Sequence, residues 1–361
     1  MSAPVERWVR PEIRALSAYH VQEAEGLIKL DAMENPFGWP DELKSAWLER
    51  LARVEVNRYP DPEGKELVQV LRHAMAIPRG MEVLLGNGSD EIIQIIAMAV
   101  SGPGRTLLSV EPGFVMYRMI ATFCGLEYAG VPLREDFSLD LPALLAAIEA
   151  HRPAVIFLAY PNNPTGNLFD TTQLQQVIEA APGLVVIDEA YSPFTDATFM
   201  GSLGAFPNLL VMRTLSKLGL AGLRLGYLAG PAEWLAEFHK IRLPYNINVL
   251  TQATAAFALT EGGAVLREQT ALIRAERARL YEALRAIPGL VPYPSQANFI
   301  LVRSRPGEAE PLFERLREGG VLVKKLHGGH PLLEDCLRFT VGTAEENGRL
   351  LQILGQDSPL G

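Results

Sequence analysis

One lysine, Lys217, stands between two apolar runs in RTLSKLGLAGLRLGY, residues 213 to 227. Alone it would read as a wet loop residue. Four neighbouring patterns raise a chemical alternative. GNGSDE brings Gly88, Ser89 and Asp90 to an expected helix start, with Ser89 or Asp90 suited to the N-cap. Free backbone N–H groups at the positive end of a helix dipole suit a phosphate, although a plain turn and cap would use the same residues. VVIDEAY ends a strongly apolar run on Asp188 and Glu189. A carboxylate there is poorly solvated and wants a cation, either a structural partner or a protonated ring nitrogen. PNNPTG offers asparagine amides that could donate to a phenolate oxygen, or could simply turn the chain. Arg224 lies seven residues after Lys217. Beside Ser216 and the glycine N–H groups it would complete a cradle for a dianion.

Together these needs describe pyridoxal 5'-phosphate (PLP). That cofactor requires a lysine for a Schiff base, an acid at its pyridine nitrogen, a donor at its phenolic oxygen and a phosphate cup. A dinucleotide fingerprint is excluded by the missing third glycine, and no G-x-x-x-x-G-K-[ST] occurs. His327 and His330 in HGGH read as a polar loop rather than a metal site.

The elements that must position these residues alternate between strands and helices. MEVLLGNG, RTLLSVEP, LEYAGVPL, AVIFLAYPNNPTG, LVVIDEAY, NLLVMRTLSK and LRLGYLAG read as strands. SDEIIQIIAMAV, PGFVMYRMIATFCG, LPALLAAIEAHRP and TTQLQQVIEAAPG read as helices, with Gly125 closing the second and Pro142 in the first turn of the third. This predicts an α/β fold with a mostly parallel mixed sheet covered by helices. Ligands of such sheets bind at the carboxyl ends of the strands, where all the clusters fall. The expected organisation is an arm over residues 1–28, a large domain over 29–259 and a smaller α+β domain over 260–361, with 29–50 open to sharing between the two.

The bulk numbers are ordinary for a soluble globular protein. The chain has 361 residues, a net charge of -9 and no basic stripe, which argues against a nucleic-acid surface. Its two cysteines, Cys124 and Cys336, form no disulfide framework, so a reducing cytoplasm is expected. The charged N-terminus lacks a secretory apolar region, and no apolar stretch is long enough to span a bilayer.

The motifs LDAMENPF, RYPDP, PNNPTG, DEAY and TLSK with the following GLRLGY resemble fold-type-I PLP aminotransferases, most closely the histidinol-phosphate aminotransferase family, from about residue 12 to 350. The resemblance implies Lys217 as the Schiff-base lysine, Asp188 at the pyridinium nitrogen, and Tyr191 and Asn163 at the phenolic oxygen. It implies Phe114 stacked on the cofactor ring. It gives Gly88, Ser89, Asp90, Thr214, Ser216 and Arg224 to the phosphate, with Tyr59 reaching the phosphate of the other subunit of a homodimer. It implies Arg338 on the substrate's anionic group, and Tyr19, Asn35 and Asn298 on the substrate side. The implied reaction converts L-histidinol phosphate and 2-oxoglutarate to imidazole acetol phosphate and glutamate by ping-pong kinetics. Aromatic aminotransferases and threonine-phosphate decarboxylases share the motifs. A non-catalytic PLP-binding regulator usually carries a basic domain ahead of the match. Two details are specific to this chain. Many relatives place the arginine eight residues after the lysine, so the seven here imply a tighter loop, with Gly219 and Gly222 available to form it. The Asn163–Pro164 bond is expected to be cis.

Overall fold

The computed structural model describes residues 4–18 and 22–355, so Tyr19 lies outside the described residues. Two short helices, Pro4–Trp8 and Pro11–Arg14, precede strand β1 (Ile28–Leu30). Two further helices, Asp41–Leu51 and Lys65–Ala74, lead into seven strands. These are β2 (Glu82–Gly86), β3 (Thr106–Glu111), β4 (Glu127–Pro132), β5 (Val155–Ala159), β6 (Leu184–Asp188), β7 (Leu209–Thr214) and β8 (Gly226–Gly230). They form one sheet in the order β2-β8-β7-β6-β5-β3-β4. Strands β3 to β7 pair in parallel, while β8 is antiparallel to both its neighbours. Every residue of β5 and β6 is buried, which is why both read as unbroken apolar runs.

Local chemistry fixes the helix ends that deliver the site. Asp140, Asp170 and Asn248 each accept a backbone N–H three residues on, at 3.2, 2.9 and 2.8 Å. Gly125 ends the helix Met116–Cys124 at φ 73°, and Pro142 sits in the first turn of Leu141–His151, both as expected. The helix Gly88–Val100 departs from expectation. Its N-cap residue is Asn87, and Ser89 and Asp90 lie inside the first turn. Gly88 itself has φ 80°, which disfavours any residue with a Cβ. The earlier start brings the helix down onto β8: a Cβ on Gly226 would meet the backbone of Gly88 and Ser89 at 2.8 Å.

A second sheet combines β1 with β9 (Val291–Pro292), β10 (Phe299–Arg303), β11 (Val321–Lys325) and β12 (Cys336–Thr340), in the order β1-β11-β12-β10-β9. Strand β1 pairs in parallel with β11, so an early segment completes a sheet otherwise built from residues beyond 290. Leu30 packs in one core with Phe299, Val323 and Phe339, and so do Tyr191 and Phe194 from the segment leaving β6. That segment is thus seated between the two sheets. The 23-residue helix Gly263–Arg285 leads from the larger sheet to the smaller. Among the described residues, no single helix is long and apolar enough to cross a membrane.

Candidate active site

Parallel pairing puts the carboxyl ends of β5, β6 and β7 side by side. The residues there are Asn163 just beyond β5, Asp188 at the end of β6, and Thr214, Ser216 and Lys217 at and just beyond β7. Gly88 follows β2. These residues therefore gather at one end of the sheet, where α/β folds bind ligands.

Lys217 Nζ donates to the Ala32 carbonyl at 3.0 Å and lies 6.0 Å from the Tyr191 ring centre. Burial, reinforced by the guanidinium of Arg338, lowers its pKa from 10.5 to about 8. A useful fraction of the amine is therefore neutral near neutral pH, as a nucleophile or base requires.

Asp188 is 3% exposed. Its Oδ2 accepts from the Tyr117 hydroxyl at 2.7 Å and its Oδ1 from the Ala190 N–H at 3.1 Å. Burial raises its pKa to about 6, against the pull of those two donors. A carboxylate held at that balance suits a cationic ring nitrogen. Its neighbour Glu189 is a structural acid: it is fully buried and receives two hydrogen bonds from Arg213, at 2.9 and 2.7 Å. The two acids of DEAY thus have separate partners.

Asn163 Nδ2 donates to the Tyr191 hydroxyl at 3.1 Å, and Arg338 donates to Asn163 Oδ1 and to the Asp31 carbonyl at 3.0 Å. These three residues form one hydrogen-bonded chain around Lys217. The Asn163–Pro164 peptide is cis, as expected.

The expected phosphate cup rests on the short interval between Lys217 and Arg224. Residues 216–223 coil tightly, with Gly219 at φ 119° carrying the bend and Arg224 itself left-handed at φ 49°. Gly222 has no positive φ, so Gly219 alone provides the expected glycine freedom. The Arg224 guanidinium lies 3.4 Å from Ser216 Oγ and 3.7 Å from Asp90. It also fills the place of the missing side chain on Gly88, where a Cβ would come within 2.7 Å of it. Thr214 Oγ1 lies 2.9 Å from Ser216 Oγ. A helix start, two hydroxyls and a guanidinium therefore converge. With the amine and the buried acid, this donor set fits the groups of PLP.

The remaining expected residues have these surroundings. Phe114 meets Tyr117 edge-on at 5.4 Å, and Tyr117 in turn reaches Asp188 through its hydroxyl. Asn35 donates to the Leu218 carbonyl at 3.3 Å and to Gln269 at 2.9 Å, bracing the loop after Lys217. Asn298 is fully buried and donates to the Met33 carbonyl at 2.9 Å, next to Ala32. Both therefore support the crevice wall. Tyr59 is 81% exposed and stacks on Tyr245 at 4.5 Å. His327 Nδ1 accepts from Asp335 N–H at 3.0 Å and His330 Nδ1 from Leu332 N–H at 3.1 Å, so both histidines serve their loop.

Three contributors were not legible in the sequence. Tyr117 looked like one more apolar residue of its helix. Gln269, 6% exposed, ties Asn35 to the Gly38 carbonyl from the helix Gly263–Arg285. Lys324 pairs directly opposite Arg338 across β11 and β12, a register no local pattern reveals.

The pattern of aminotransferase class I and II matches residues 25–354. The chain is 59% identical over 350 residues to histidinol-phosphate aminotransferase 2 of Nitrosococcus oceani, covering 97% of each chain. It is 54% identical over 354 residues to the histidinol-phosphate aminotransferase of Chromobacterium violaceum, covering 98% of this chain and 99% of the other. The crystal structure of histidinol-phosphate aminotransferase from Sinorhizobium meliloti in complex with pyridoxal-5'-phosphate superposes with a TM-score of 0.86 at 26% identity, over 96% of both chains. With nearly the whole chain matched, and with a buried acid, a deprotonatable lysine and an anion cup at the strand ends, the chain belongs to the class I and II aminotransferases.

Proposed function

We propose that this chain transfers the amino group of L-histidinol phosphate to 2-oxoglutarate, with PLP bound at Lys217. When bound, PLP supplies an aldehyde that carries the amino group and a ring that accepts the electron pair left by the departing α-proton. Lys217 would be the residue that holds the cofactor's aldehyde carbon. The lowered pKa of its amine would let Lys217 take the α-proton of the substrate and return it. Asp188 would keep a proton on the ring nitrogen, and its burial would keep out water that weakens such a pairing. Asn163 and Tyr191 hold the phenolic side. Gly88, Ser89, Asp90, Thr214, Ser216 and Arg224 hold the phosphate.

The observation that carries the substrate reading is the register of Lys324 opposite Arg338. Directly opposed residues project on one face of a sheet. The Lys324 pKa is lowered by burial and by Arg338, the mark of two cations close together. Such a pair suits a phosphate dianion, and it also suits the distal carboxylate of glutamate. The names of the curated relatives support the same substrate.

The test is turnover of histidinol phosphate with 2-oxoglutarate, measured beside phenylalanine and threonine phosphate. Preference for histidinol phosphate, with parallel double-reciprocal lines, is expected. Faster transamination of phenylalanine, or release of carbon dioxide from threonine phosphate, would replace the reading with one of the related activities.

We also infer a homodimer working in the cytoplasm. The stacked Tyr59 and Tyr245 lie at the surface with Val56 and Leu243, each of which is 73% exposed. A partner covering this patch would remove apolar area from water. Both cysteines are free, which suits a reducing compartment. An active monomer by light scattering would overturn the dimer.

A further inference from the structure

Tyr117 touches two groups expected to face the cofactor. It lies on the helix Met116–Cys124 and is 1% exposed. Its ring stacks on Phe157 of β5 at 5.1 Å and meets Phe114 edge-on at 5.4 Å. Its hydroxyl donates to Asp188 Oδ2 at 2.7 Å, the shorter of the two hydrogen bonds found on that carboxylate. Two ring contacts fix the direction of the phenol. The hydroxyl therefore cannot follow the carboxylate, and the carboxylate must come to it.

The surroundings would otherwise push Asp188 toward its neutral form. Burial is the largest influence, and the charges of Asp90 and Glu189 add to it. Glu189 is offset by Arg213 at 2.7 Å and Asp90 by Arg224 at 3.7 Å. Tyr117 is the strongest influence in the opposite direction, followed by the Ala190 N–H. Burial and the Asp188 charge drive the Tyr117 hydroxyl well above its ordinary range, so it stays a donor at every working pH. A hydrogen bond to the charged form favours that form.

We propose that Tyr117 is a positioning residue: it clamps the Asp188 carboxylate and keeps it anionic for the ring nitrogen of the cofactor. The role rests on the PLP reading above. Donation to the carboxylate favours the ionic pair, with the proton on the ring nitrogen, over the neutral pair with the proton on Asp188. Tyr117 thereby strengthens the electron sink without touching the cofactor nitrogen itself. It also couples Phe114 to Asp188, so the residues at the ring face and the ring edge are set by one side chain.

Tyr117→Phe keeps both ring contacts and deletes the hydroxyl. Cofactor-free wild type and variant are titrated with PLP over a range of pH, following the absorbance of the bound cofactor. The expected result is an affinity about ten- to hundredfold weaker, the effect of removing one hydrogen bond to a charged group. The acidic limb of the binding profile moves to higher pH, because losing the donor raises the Asp188 pKa. In an Asp188→Asn background the same change should alter affinity less than about twofold, since the two residues act as a unit. Unchanged affinity and an unmoved limb in Y117F, even with a lower melting temperature, would overturn the proposal. So would an equal loss in the D188N background. If Y117F does not accumulate folded, 3-fluorotyrosine placed at position 117 supplies a stronger donor on the same ring. The limb should then move to lower pH, and no movement would overturn the proposal. A wild-type protein that binds no PLP would overturn both this inference and the cofactor reading.

Discussion

Lys217→Met in the cofactor-free protein isolates the physical cost of a reactive lysine. Methionine is also unbranched, fills much of the same space and carries no charge. The Lys217 pKa falls from 10.5 to about 8, chiefly through burial. At about 1.36 kcal/mol per pH unit, that gap corresponds to about 3 kcal/mol of destabilisation while the amine is charged. Partial solvent access and the lost hydrogen bond to the Ala32 carbonyl reduce the expected gain to about 2 kcal/mol. The folded protein releases this proton at lower pH than the unfolded chain does. Between about 8 and 10.5 the unfolded chain therefore binds more protons, and wild-type stability rises with pH across that window. Below about 8 the penalty is fully present. K217M should thus be more stable than wild type by about 2 kcal/mol at about pH 7, with the advantage fading toward pH 10.5. Urea unfolding of the two apo proteins at several pH values measures this directly. An advantage that does not shrink with rising pH, or a variant less stable than wild type at about pH 7, would refute the argument that a desolvated ammonium is stored in the crevice.

Other expectations follow from the cup and the substrate pair. Gly88→Ala forces an L residue to φ 80° and displaces Arg224. Stability should fall by about 1–2 kcal/mol and PLP should bind more weakly, read by thermal melts and equilibrium titration; unchanged affinity would remove Gly88 from the cup. Lys324→Met should raise KM for histidinol phosphate about tenfold or more while changing kcat less, because it removes one charge from a phosphate site. An equal fall in kcat with KM unmoved would place Lys324 in the chemistry instead. As the pH drops through about 6, the Asp188 carboxylate takes up a proton, so PLP affinity should weaken across that range in direct titrations and stay level in Asp188→Asn.

The residues legible in the sequence share one property: their local surroundings are energetically awkward. Asp188 ends a strand with every residue buried, where a carboxylate needs a reason to be. Lys217 and Arg224 stand among apolar residues and glycines in the same way. The strand and helix alternation gave the larger sheet because buried parallel strands have to be apolar throughout. What stayed hidden depends on distance or on conformation. Strand β1 is three residues long, and its partner β11 lies about 290 residues later, beyond any local pattern. Lys324 acquires meaning only from its register with Arg338. Tyr117 sits on an amphipathic helix face where an aromatic residue needs no special explanation, and only the structure shows its hydroxyl on Asp188. The helix cap departs from expectation because Asn87 precedes Gly88, whose positive φ lets the helix start ahead of Ser89 and Asp90. The meaning of the exposed Tyr59 depends on a second chain.

Everything catalytic in this account passes through the amine of Lys217, so the most direct measurement is chemical. The protein is loaded with PLP, reduced with borohydride, digested and mapped by mass spectrometry. A pyridoxyl adduct on the peptide bearing Lys217 is the expected result. An adduct on another lysine, or none after the cofactor has been shown to bind, would contradict the account.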